Sequence, residues 1–265
     1  MADLSLLWLC LTALLAGAIN AIAGGGTLLT FPALIAALTP IRGAAFAAVL
    51  ANATSSAALV PGSMASAWGY RQKIDQARRW LVLLIGPSLV GGTIGSLLVT
   101  RLPAQYFAVL VPWLILLAAS LLLADSLIPR RKPHGDESST HRPGAIVGLV
   151  VFQFLVSVYG GYFGAGIGIL MLSSLALMGI GDINRMNAVK TVLTACINGT
   201  SVVVFMIDKK IEWSYALPMA LCAIIGGYVG ARAALRVHPR RVRWLVIAIG
   251  FGLAAFFFYR QWTAA

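Results

Sequence analysis

The residues best placed to do chemistry lie in one apolar run, NAVKTVLTACINGTSVVVFM at 187–206, where Lys190 stands without an acidic neighbour. Asn187, Lys190, Thr194, Asn198 and Ser201 follow one another at steps of three or four residues. On a helix that spacing gathers them on one face. An ammonium near the middle of a bilayer costs about 2.5–3.5 kcal/mol on insertion scales, so such a residue is a functional candidate by default. Its chemical complement is an anion: at an effective dielectric near 20, opposite unit charges about 4 Å apart attract by roughly 4 kcal/mol, enough to offset that cost. The competing reading is snorkelling, in which the long stem carries the charge to the headgroups.

Two glycine-rich turns form the second set of candidates. Gly24-Gly25-Gly26 and Gly164-Ala165-Gly166-Ile167-Gly168 each stand between two apolar runs and open a short one. Gly25, Gly26, Gly166 and Gly168 then place backbone N–H groups at a helix start, where the partial positive charge favours an anion. Close packing of membrane helices also calls for small residues, and both readings hold together. Either way, leucine at Gly25 or Gly166 is expected to block the turn. Neither turn follows a strand or has the G-x-G-x-x-G spacing of a dinucleotide site. Asn52 and Ser55, in NATS, match Asn198 and Ser201, in NGTS. The asparagines either bond across helices or join Lys190 in one polar site.

Other chemistries lack their residues. All eight acidic residues and all three histidines lie in loops or at the ends of apolar runs. No span offers paired carboxylates, a Ser-His-Asp set or a metal-ligand cluster, so no catalytic, metal or cofactor site is expected. The proton relay and the carboxylate typical of cation carriers are missing as well. A membrane enzyme is the alternative of another class, and it lacks in-span acids and bases.

These residues need membrane helices to hold them. The chain has 265 residues, 60% hydrophobic and 11% charged, with a mean hydropathy of +0.89. Such values describe an all-α integral membrane protein rather than a soluble domain. The formal charge of +12 is spread in short clusters between apolar runs, which fits membrane orientation and argues against nucleic acid. Cys10, Cys196 and Cys222 lie inside apolar runs without paired spacing, as small packing residues. The first ten residues lack a basic n-region, so the first run reads as a mature span.

Ten apolar runs are found, at 4–22, 26–38, 44–60, 80–99, 107–124, 144–160, 166–178, 187–206, 213–235 and 244–259; the second and seventh are short. A polar, proline-bearing linker divides them, giving a first membrane repeat at 1–125, a linker at 126–143 and a second repeat at 144–265. The halves match in order: 22–30 with 164–172, 52–55 with 198–201, and GGTIGSLLVTR at 91–101 with GGYVGARAALR at 226–236. Five segments per half is an odd number, so the second repeat enters the membrane inverted. With the N-terminus outside and the linker cytoplasmic, fourteen of the twenty basic residues fall on the inner side, as the positive-inside rule requires.

In AIAGGGTLLTFPAL at 21–34, ANATSSAALVPGSMASAWGYR at 51–71 and NAVKTVLTACINGTSVVVF at 187–205, with the spacing of the halves, the chain resembles the sulfite exporter family TauE/SafE. The resemblance covers nearly the whole chain. It implies a carrier of the bacterial inner membrane for a small anion, such as sulfite or an organosulfonate, with the bilayer and that anion as partners. Some relatives carry a second lysine in the first repeat, where this chain has Ala44.

Overall fold

A computed structural model describes residues 2–127, 143–177, 182–235 and 240–263. Among them every element is helical: α1 Ala2–Ile22, α2 Thr27–Arg42, α3 Ala44–Gly69, the short α4 Arg71–Ile74 with a 3-10 turn at Asp75–Ala77, α5 Arg78–Arg101, α6 Ala104–Leu127, α7 Pro143–Tyr162, α8 Ile167–Leu177, α9 Ile183–Ile207, α10 Trp213–Ala234 and α11 Arg240–Thr263. Each apolar run corresponds to one helix. Among the described residues, seven helices are long and apolar enough to cross a membrane. The short runs remain short, α2 with 16 residues and α8 with 11.

Some boundaries depart from the apolar pattern for local reasons. The run at 44–60 stops before Pro61, whereas α3 continues to Gly69. Proline is tolerated inside a membrane helix, and beyond Pro61 the extension is tied to α10: Ser66 Oγ donates to Gly62 O at 2.8 Å and lies 3.0 Å from Gly227 O. Helix α9 begins at Ile183, four residues before its apolar run, because Asp182 caps it and accepts from Asn184 N at 2.9 Å. Helix α6 runs on to Leu127 and α7 opens on Pro143, a residue preorganised for the first helical position. The linker between them, with Arg130, Arg131, Lys132, His134 and Arg142, lies outside the described residues.

Helix packing explains the repeated GGxxG segments. Helix α10 is wedged between α1 and α3, and α5 between α7 and α9, so the fourth apolar segment of each half sits between the first and third segments of the other half. Exchanging the halves maps these pairs onto each other, while α3 with α9 and α6 with α11 map onto themselves. A Cβ at Gly226 would strike Leu14 O, and one at Gly230 would stand 2.5 Å from Ala18 Cα, both on α1. On α5, Gly95 meets Val158 O and Gly91 meets Phe154 O of α7 in the same way. Gly227 faces Gly62 of α3, as Gly92 faces Ile197 of α9. Without side chains there, backbones approach closely enough for dispersion and weak polar contacts to hold helices that gain nothing from water exclusion in lipid.

Charged residues pair beyond opposite ends of α9. Arg42 pairs with Glu212 at 2.8 Å, and Lys210 Nζ lies 4.5 Å over the Phe46 ring. At the other end Lys73 pairs with Asp182 at 3.5 Å. Trp8 and Trp113, which fall short of the segment ends, are 63% and 58% exposed. They lie on the outward surface, Trp113 edge-on to Phe258 at 5.0 Å.

Candidate functional site

The centre of the molecule is the place where the two glycine turns cross. At the first turn, Ala23 N and Gly24 N both donate to Ile19 O, at 2.7 and 3.1 Å, and Gly24 takes φ +80°. At the second, Phe163 N and Gly164 N both donate to Tyr159 O, at 2.9 and 3.4 Å, and Gly164 takes φ +77°. The left-handed backbone and the missing Cβ let the chain reverse within a few residues. Backbone geometry thus pairs Gly24 with Gly164, two residues away from the pairing of 22–30 with 164–172 that residue types favour. The turns touch: a Cβ on Gly168 would stand 2.6 Å from Gly24 Cα and 3.0 Å from Lys190 Cδ.

Lys190 lies at this crossing, 1% exposed. Its Nζ donates to Asn20 O at 3.1 Å and Ala21 O at 3.0 Å. A snorkelling lysine would present its ammonium at the boundary; this one turns inward. The physical reason is the end of α1. The last carbonyls of a helix have no partner of their own and carry partial negative charge. Ile19 O is taken by the turn, Asn20 O and Ala21 O by Lys190, and Tyr70 Oη adds a long contact of 3.4 Å to Ala21 O.

The end of α7 is treated alike by a different residue: Asn52 Nδ2 donates to Tyr162 O at 3.0 Å. Its Oδ1 is buried without a hydrogen-bonding partner. Asn198, 5% exposed, holds Oδ1 at 3.9 Å from the position of a Gly164 Cβ, and Thr27 Oγ1 is equally close. The crossing thus brings together Lys190, Gly168, Asn52 and Asn198 from both halves, with Gly24, Asn20 and Thr27 beside them. The first turn opens the short α2. Its 16 residues rise about 24 Å, less than the roughly 30 Å hydrocarbon core.

The other candidate residues make contacts of their own. Thr194 Oγ1 contacts Met171 Sδ at 3.8 Å, and Ser201 Oγ bonds Ile197 O at 2.9 Å with Gly92 O at 3.4 Å. Ser55 Oγ shares a 2.6 Å bond with Thr30 Oγ1. Gly25 faces the Val246 side chain, Gly26 faces Ala16 O, and Gly166, with φ +75°, faces Ala118. Asn187 Oδ1 is buried with no hydrogen-bonding partner. One polar cluster escaped the sequence reading: Gln153 Nε2 donates to Ser88 Oγ at 2.9 Å and lies 3.3 Å from Ser157 Oγ, all three buried between α5 and α7. A lone glutamine in an apolar run was its signal.

The model of the family described as Sulfite exporter TauE/SafE matches residues 9–257. A probable membrane transporter protein of Haemophilus influenzae is 27% identical over 247 residues, covering 92% of this chain and 90% of its own. The probable membrane transporter protein YfcA of Escherichia coli K12 is 28% identical, covering 93% and 87%. YunE of Bacillus subtilis, also named a probable membrane transporter protein, is 25% identical, covering 93% and 96%. No solved structure matches. With an all-helical, multi-span fold and a family match along almost its whole length, the chain belongs to the TauE/SafE sulfite exporter family, as a membrane transporter and not an enzyme.

Proposed function

We propose that this transporter moves a small sulfur oxyanion or organosulfonate by alternating access, with the anion bound where the two glycine turns cross. The observation that carries the reading is the buried Lys190 ammonium, held there by two main-chain carbonyls. Those carbonyls present only about half a negative charge. An anion bearing a full charge competes for the same ammonium, and its arrival loosens the hold of α9 on the end of α1. The turns touch in this arrangement, so the substrate enters as they part. Thr27 and Asn198 supply hydrogen-bond donors for the remaining oxygens, and the starts of α2 and α8 supply favourable dipoles. A single ammonium matches a singly charged species best, such as hydrogensulfite or a sulfonate. The helix pairs that exchange between halves support the inverted repeats that alternating access uses.

Calorimetry on detergent-purified protein with sulfite, sulfate, thiosulfate, a small sulfonate and a small carboxylate tests the substrate class. Saturable heats with sulfite or the sulfonate are expected. Binding of the carboxylate alone would overturn the sulfur reading. Orientation follows from charge: the N-terminus and the turn at 208–210 face outward, while 71–78 and the linker face the cytoplasm of a bacterial inner membrane. A cysteine replacing Lys209, in a chain whose native cysteines are alanine, should react with an impermeant maleimide in intact cells. One replacing Gln72 should react only after lysis. The reverse pattern would invert the topology.

A further inference from the structure

A groove of about 800 Å³ runs along the outer side of the contact between α3 and α9, with Val60, Met64, Val192 and Ala195 in its apolar wall. This is the face of α9 opposite Lys190, so the groove is separate from the site at the turns. One end is polar and carries Trp68, Arg71 and Asp75. The guanidinium is held in place there, Nη1 donating to Trp68 O at 3.2 Å and Cζ 5.0 Å from the Trp68 ring centre. Arg71 and Asp75 are both exposed. Among the described residues, the ion pairs are Arg42 with Glu212 and Lys73 with Asp182. The arginine and the aspartate at the groove are therefore not paired with each other, although they stand four positions apart.

We propose that this groove binds one phospholipid of the surrounding bilayer, of the phosphatidylethanolamine type. An acyl chain fills the apolar wall, Arg71 takes the phosphate and Asp75 takes the primary ammonium. Tryptophan at the mouth fits the depth of the headgroup layer. The charge pattern selects this headgroup. A purely anionic lipid meets Arg71 but sets its phosphate beside the Asp75 carboxylate. A choline headgroup has both charges, yet its quaternary nitrogen has no N–H to donate.

Native mass spectrometry of the full chain in detergent tests this, with phosphatidylethanolamine, phosphatidylcholine and phosphatidylglycerol of identical acyl chains. Phosphatidylethanolamine should be retained roughly two- to fivefold better than either, the range expected for the one exposed charge-assisted contact that the other two lack. Asp75→Ala should remove that preference and raise retention of phosphatidylglycerol, whereas Arg71→Ala, which loses a phosphate contact common to all three lipids, should lower retention of all three; both positions are exposed. Soluble phosphoethanolamine should not displace the lipid. Equal retention of the three lipids by the wild-type protein would overturn the proposal, as would preference for phosphatidylglycerol or displacement by phosphoethanolamine alone.

Discussion

Gly168→Leu abolishes transport and lowers the yield of folded protein. Even the Cβ of that leucine stands 2.6 Å from Gly24 Cα and 3.0 Å from Lys190 Cδ. The first obstacle is backbone in a left-handed turn, which cannot rotate away as a side chain can. Overpacking a closed site costs typically about 1–3 kcal/mol and more where the backbone must move. Here the movement also pushes the lysine stem off the end of α1. Gly25→Leu should be milder, because its first neighbour is the Val246 side chain at 3.1 Å. Gly166→Leu falls between them: its nearest neighbour is a methyl group of Ala118 at 3.1 Å, but its φ of +75° strains any side chain. Fluorescence-detected size exclusion measures yield, and uptake into vesicles measures transport. Normal uptake by the Gly168 variant would show that the turns need not touch.

The helices were legible because a bilayer imposes long apolar runs, and all ten runs reappear as helices. The glycine turns were legible for a related reason: three glycines between such runs have few uses beyond a sharp reversal or a close approach. The partners of each side chain were much less so. Asn187, Lys190, Thr194, Asn198 and Ser201 do share a face, but a 25-residue helix rises about 37 Å and meets a different neighbour at each turn. Thr194 therefore meets Met171 of α8, Ser201 meets Gly92 of α5, and Lys190 and Asn198 reach the glycine turns. The partner of Lys190 was hidden for a deeper reason. It is a pair of main-chain carbonyls, and every residue has one, so no residue type announces it. The repeat register slipped by two residues because glycines matched by type are not those matched by backbone bonds.

Lys190→Met is the second large effect, and its interpretation depends on the variant remaining folded. Removing the ammonium leaves Asn20 O and Ala21 O without that donor, at about 1–3 kcal/mol each. It also removes the insertion cost of a buried charge, about 2.5–3.5 kcal/mol. The two largely cancel, so the methionine variant should express and melt within a few degrees of the parent. Its anion binding should nevertheless be lost. Lys190→Arg keeps the charge, but the planar guanidinium is larger than the compact ammonium beside Gly168 and Gly24, so it should retain only part of the affinity.

The measurement that bears most directly on the central claim is calorimetric titration of sulfite into purified parent, Lys190→Met and Lys190→Arg proteins at matched melting temperatures. Losing an attraction worth about 2–4 kcal/mol predicts affinity weaker by roughly thirtyfold to a thousandfold in the methionine variant, with the arginine variant between it and the parent. Sulfite affinity unchanged in a folded Lys190→Met protein would contradict the account, leaving the buried lysine as no more than the cap of α1.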